Sequence, residues 1–137
     1  MSATGTYVGF DAGEKRLGVA VGETVTGNAR ALEVIACRDG TPDWSRLRTL
    51  IDDWRPRGLI VGIPRHADGS ASPSTRLAER FAGELARRSG CSVHRVDEHL
   101  SSHAARDALR GRGQPTEVID AEAARIILET WLSEHFP

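Results

Sequence analysis

Lysine is almost missing from this chain: of its 18 basic residues only Lys15 is a lysine. Coding bias toward arginine explains the pattern, and the lysine that survives it lies close to Asp11. Cysteine is scarce as well. Cys37 and Cys91 are far apart and lack the paired spacing of a zinc site or a redox motif, which leaves them a small apolar role rather than a disulfide or a nucleophile. No apolar stretch approaches the ~20 residues of a membrane span, and Met1 to Thr6 has neither the basic nor the apolar region of an export signal. The expectation is a cytoplasmic protein with no membrane partner. An excess of one charge is also absent: 18 basic residues against 19 acidic give a net charge of -1. Attraction to nucleic acid must therefore come from a local patch. What is present is an ordinary globular composition, 27% charged and 39% hydrophobic, in 137 residues. That length and balance predict one domain over 1–137, with nothing to suggest disorder beyond the ends.

Alternating bulk over Tyr7–Ala12 and again over Leu17–Val21, with the turn Gly13-Glu14-Lys15-Arg16 between them, predicts a β-hairpin. A third strand follows from Ala31 to Cys37, closed by Asp39-Gly40. The pattern then alternates between helix and strand. Thr41 is a candidate cap with Pro42 in the first helical turn, and Trp44, Leu47, Leu50, Ile51 and Trp54 form one apolar stripe up to Pro56. Gly58–Ile63 is a continuous apolar run, as expected of a strand covered on both faces. Ser72-Pro73 opens a helix carried by Leu77, Phe81 and Leu85, with Gly90 at its C-terminal cap. Ser92–Val96 reads as a strand, Ser102–Arg110 as a short helix ending at Gly111, and the segment from Thr116 as a long last helix. The sum is an α/β chain with a mixed five-stranded sheet, an antiparallel meander followed by parallel strands, flanked by helices.

Three acids stand out. Asp11 ends an apolar strand where a lone charge is costly to bury, although Asp also starts turns. Asp120 lies on the face of the last helix that carries Ala123, Ala124, Ile127 and Trp131, with Glu122, Arg125 and Glu129 opposite. An acid aimed at a core pairs with a base or binds a cation, and a helix-dipole role competes. Asp97-Glu98 sits at the carboxyl end of a strand, where ligands bind in parallel sheets. Alternation sends those two side chains in different directions, so one of them joins a shared site, and the spacing leaves open which. Three carboxylates from separate elements suit a hard cation such as Mg²⁺ or Mn²⁺. Two such ions about 3.5–4 Å apart can activate water and stabilise the leaving oxygen in phosphodiester cleavage.

The run Gly9-Phe10-Asp11-Ala12-Gly13-Glu14-Lys15-Arg16-Leu17-Gly18-Val19-Ala20-Val21 resembles the opening motif of the YqgF (RuvX) family, named for Holliday junction resolution and related to RuvC. The likeness continues through Val61-Gly62-Ile63-Pro64 with Asp68-Gly69-Ser70, through Val96-Asp97-Glu98-His99-Leu100-Ser101-Ser102, and through Ile119-Asp120-Ala121 in the final helix. The resemblance implies a ribonuclease H-like fold, with Asp11, Glu98 and Asp120 as metal-binding catalytic acids, and it selects Glu98 over Asp97. It also implies a nuclease, associated in the family with maturation of the 5′ end of pre-16S ribosomal RNA. His99 stands where the family often has arginine, and Gly111–Val118 lacks the family's lysine-rich stretch. The basic set left to hold phosphates comprises Lys15, Arg16, Arg65, His66, Arg106, Arg110 and Arg112.

Three other readings compete. A junction-selective DNA endonuclease would need a homodimer to meet a two-fold substrate. A nucleic-acid-binding factor with weak catalysis would not need all three acids. A phosphate-binding turn of an actin-like or sugar kinase would need a second related domain, which this length does not supply.

Overall fold

The computed structural model describes residues 4–98 and 110–137. Its first two strands, β1 (Thr6–Ala12) and β2 (Arg16–Glu23), form the expected hairpin, in which Val8 lies opposite Val21 and Asp11 opposite Gly18. The hairpin tip is held by the third strand, β3 (Ala29–Arg38): the Cys37 amide donates to the Lys15 carbonyl at 2.8 Å, and the Gly40 amide to that of Glu14 at 2.8 Å.

Asp39 and Gly40 both take positive φ, 51° and 81°, and turn the chain back on itself. Thr41 and Pro42 then pair with Arg38 and Cys37 as a two-residue strand, β4, and the helix cap moves to Asp43. This corrects the expectation that Thr41 caps the helix. The left-handed turn commits Thr41-Pro42 to β3, and the Asp43 carboxylate accepts from the amides of Ser45 and Arg46 at 3.1 and 3.3 Å. Helix α1 (Trp44–Trp54) follows, then strand β5 (Gly58–Pro64) and helix α2 (Pro73–Ser89). Ser72 caps α2 through a reciprocal pair with Thr75, and Gly90 closes it in the left-handed conformation, both as the sequence predicts. Strand β6 (Val93–Glu98) and the long helix α3 (Thr116–His135) complete the described elements. The helix expected over Ser102–Arg110 lies, except for Arg110, outside the described residues.

The strands form one sheet in the order β4-β3-β2-β1-β5-β6. β5 runs parallel to both β1 and β6, whereas β1, β2 and β3 are antiparallel, so the sheet is mixed. The expected five strands are present, and the short β4 adds a sixth at one edge. One face buries Val8, Phe10, Val19, Leu59, Val61 and Ile63 against Leu47, Leu50, Phe81 and Leu85 of α1 and α2. The other buries Tyr7, Ala20 and Ile60 against Ala124, Ile127, Leu128, Trp131 and Leu132 of α3. Among the described residues, no helix is long and apolar enough to cross a membrane.

Candidate active site

Side chains alternate between the two faces of a strand, so residues two and four apart share a face. Tyr7 packs on Trp131 of α3, with ring centroids 4.9 Å apart, and Asp11, four residues further on, therefore faces α3 as well. Ile60 is in the α3 cluster, which places Gly62 and Pro64 on that side of β5. Glu98 is the register partner of Pro64, and His94, four residues before it, contacts Trp131 at 4.9 Å. Glu98 thus faces α3, and Asp97 faces away. Burial agrees: Glu98 is 5% exposed, whereas Asp97 lies in solvent.

The third carboxylate is delivered by close backbone contact. A Cβ built on Gly18 would lie 2.1 Å from the Asp120 carbonyl oxygen, so only glycine lets the start of α3 rest on β2 at this point. Gly18 is the partner of Asp11 across the hairpin. The same arrangement recurs at Gly62, where a Cβ would come within 2.4 Å of Ile127 Cδ1. These two glycines allow α3 to lie low across the sheet. Its first turns then stand over the carboxyl end of β1, where Asp11 is 6% exposed.

The frame beneath the site is tied by backbone and hydroxyl bonds. The Thr75 hydroxyl at the start of α2 donates to the Pro64 carbonyl, fixing the end of β5 beside Glu98. In the following loop, the Ser70 amide and hydroxyl donate to the Asp68 carboxylate at 2.9 and 2.6 Å, which lowers the pKa of Asp68.

Asp11, Glu98 and Asp120 are therefore on one face of the sheet and at one end of it. They are not gathered into a ready ligand cluster: no three His, Cys, Asp or Glu side chains among the described residues form one. Asp120 Oδ2 accepts from Arg16 Nε at 2.8 Å, with the two side chains 20% and 33% exposed. Like charges brought together repel, and Arg16 offsets part of that cost at Asp120. The donor set is nonetheless all oxygen, which suits a hard cation such as Mg²⁺ or Mn²⁺. Asp11 and Glu98 are already withdrawn from water, where a charge acts more strongly than in solvent.

The basic residues singled out in the sequence divide into two groups. Arg16 is paired with Asp120, and Arg65 with Asp97 at 3.1 Å, so neither is presented to solvent unopposed. Lys15 and His66 are exposed on the loops after β1 and β5, and Arg110 and Arg112 are exposed ahead of α3. Arg106 lies outside the described residues. On the far side of α3, Arg125 bridges Glu122 and Glu129 at 2.8 and 3.0 Å. Sequence reasoning missed a further group, His94, Trp131 and His135, whose rings meet beside Glu98's strand. The signals for it were the spacing of Trp131 and His135, four apart on one face of the last helix, and of His94 and Glu98, four apart on one strand.

Comparison with known proteins places this geometry in context. Residues 5–134 match the family described as RuvX, Holliday junction resolvase. A relative from Ralstonia pickettii is 47% identical over 131 residues, 96% of this chain and 89% of its own length. One from Azotobacter vinelandii is 42% identical over 98% of this chain and 97% of its own. Both carry the name "Putative pre-16S rRNA nuclease". Among solved structures, T. thermophilus RuvC in complex with Holliday junction substrate aligns with a TM-score of 0.56 at 19% identity, over 96% of this chain and 95% of that one. Fowlpox virus resolvase with substrate Holliday junction DNA aligns with a TM-score of 0.57 at 10% identity, over 96% of this chain and 99% of that one. At such identities these structures speak for the fold, which is the RuvC-like, ribonuclease H-like one. With a family match over nearly its whole length and relatives above 40% identity, the chain belongs to the RuvX family.

Proposed function

We propose that this chain is a nuclease that hydrolyses phosphodiester bonds with Mg²⁺ or Mn²⁺, acting in maturation of the 5′ end of pre-16S ribosomal RNA in the cytoplasm. The observation that carries the chemistry is the burial of Asp11 and Glu98 at the carboxyl ends of two strands flanking β5, with Asp120 on the helix above them. The substrate is inferred from the names of relatives at 42 and 47% identity over nearly their full length.

Asp11, Glu98 and Asp120 would hold the metal. When bound, the ion polarises the phosphoryl oxygen and lowers the pKa of the attacking water. The chain's own residues do the rest. Burial keeps bulk water from Asp11 and Glu98, so that their charge acts at full strength. Gly18 sets how far Asp120 stands from β1. Lys15 and His66, with Arg110 and Arg112, hold the phosphates on either side of the cut, and Arg106 belongs to the same basic set. Arg16 steadies the Asp120 carboxylate.

The second reading is resolution of branched DNA, favoured by the family description and by the RuvC-like fold. It requires a homodimer, because a four-way junction presents two equivalent cuts. The test is direct: purified protein is incubated with Mg²⁺ or Mn²⁺ and either a pre-16S RNA 5′ segment or a four-way DNA junction, beside Asp11→Asn. Cutting of the RNA by wild type only is the expected result. Cutting of the junction alone would replace the first reading with the second, and cutting that survives Asp11→Asn would remove the carboxylates from the mechanism.

A further inference from the structure

A cavity of about 500 Å³ lies between β6, at the edge of the sheet, and the C-terminal half of α3. Its volume is within the range of small-ligand sites, about 300–1,000 Å³. Glu98 lines one end, and His94, Thr130, Trp131, Glu134 and His135 are among the other lining residues. From His94 to Glu98 is four residues of strand, ~13 Å at ~3.3 Å per residue. The cavity therefore runs from the candidate catalytic acid to a group of aromatic rings.

Those rings are arranged as a platform. His135 stacks on Trp131, with centroids 4.4 Å apart and planes 19° from parallel, and His94 meets the same indole at 4.9 Å. Trp131 itself is only 5% exposed, so the imidazoles present the aromatic surface to the cavity. His135 lies in solvent with one face on the indole and the other outward. Its Nδ1 is 3.0 Å from the Trp131 carbonyl oxygen. A carbonyl can only accept, so Nδ1 is the donor, and in the neutral ring Nε2 is an acceptor. Burial, together with the nearby His135, lowers the pKa of His94 below the usual imidazole value and keeps that ring neutral at neutral pH.

The polar surroundings suit a base and not a phosphate. Arg95, the one arginine on the rim, donates to Glu79 at 2.6 Å. Glu98 and Glu134 contribute carboxylates, and the C-terminal turns of α3 add the negative end of a helix dipole. These groups repel a phosphate but accept from the exocyclic amino groups of a nucleobase. Stacking on aromatic rings tolerates every base, because each has a π-face.

We propose that this cavity is a subsite for one unpaired nucleobase of a single-stranded substrate, stacked on the ring group that His135 and Trp131 of α3 form with His94, on the strand that leads to Glu98. It rests on the nuclease reading above and deepens it. A base held in a duplex cannot enter, so the enzyme acts on an unpaired strand, as at an RNA end, in preference to the paired arms of a junction.

The test walks a single abasic site along a fluorescent single-stranded RNA and measures affinity in the Asp11→Asn protein without added metal, so that nothing is cut. At one position the lost base weakens binding by about fivefold or more. The same abasic site makes no further difference once His135→Ala is added, and His135→Phe restores the sensitivity because it restores the ring. Duplex binding is unaffected by His135→Ala. A flat abasic profile, or equal losses with and without His135→Ala, overturns the proposal. So does a His135→Ala variant that weakens single strand and duplex alike as its melting temperature falls, since the ring would then only cover Trp131. Cleavage of unmodified RNA separates the two levels. If wild type does not cut, the nuclease reading fails, and if Asp11→Asn still cuts, its carboxylate mechanism fails; if wild type cuts, Asp11→Asn is silent and the abasic profile is flat, the subsite alone fails.

Discussion

The two faces of the sheet differ in how much apolar side chain they bury, with the larger cluster beneath α1 and α2, and in what lies among it. Beneath α1 and α2 the buried cluster is aliphatic and aromatic throughout, with Phe10, Phe81 and Trp44 in ring contact. Beneath α3 the same sheet carries glycines where bulk would be expected, and two buried carboxylates. Buried charges are costly, and a chain that needed only stability would have no use for them. Stability rests chiefly on the α1/α2 face, the chemistry proposed above falls to the α3 face, and each substitution below sharpens or breaks that division.

The largest effect is expected at the carboxylates. Asp11→Asn or Glu98→Gln should lower the cleavage rate about 1,000-fold, which is ~4 kcal/mol of transition-state stabilisation. Melting temperature should hold or rise, since each change removes a buried like charge. Loss of fold in both variants would contradict the division. On the opposite face, Leu47→Ala removes a side chain with no exposure and should cost about 3 kcal/mol in denaturant unfolding, with cleavage by the folded fraction unchanged.

Gly18→Ala tests the point where packing and chemistry meet. Its new methyl would collide with the Asp120 backbone, so about 1–3 kcal/mol of stability and part of the activity should fall together. Activity that stays intact would show that the seat of α3 on β2 does not set Asp120. The smallest effect is expected at Asp97→Asn. That carboxylate is exposed and paired with Arg65, so stability should change by less than ~1 kcal/mol and cleavage by less than about threefold.

The same contrast explains which features were legible in the sequence. Local chemistry was: the hairpin turn after Asp11, the Ser72 cap and the Gly90 terminus all depend on neighbours within a few residues. Alternation along β6 showed that Asp97 and Glu98 diverge but not which one turns inward; that depends on α3 covering one face. Thr41 was misread because the left-handed Asp39-Gly40 turn, and not the cap preference of Thr41, decides where Pro42 goes. The pairing of Arg16 with Asp120 spans 104 positions, and nothing local encodes it. Trp131 and His135 are one helical turn apart and stack within α3, but that His94 joins them was hidden for the same reason, because it does so only when α3 returns across the sheet.

The central claim is that Asp11, Glu98 and Asp120 form one metal-binding site on the α3 face. Calorimetric titration of Mn²⁺ into wild type, Asp11→Asn, Glu98→Gln, Asp120→Asn and Asp97→Asn tests it without reference to any substrate. The account predicts equal binding by wild type and Asp97→Asn, with binding weakened or lost in each of the other three. Binding by Glu98→Gln or Asp11→Asn at wild-type affinity would contradict it.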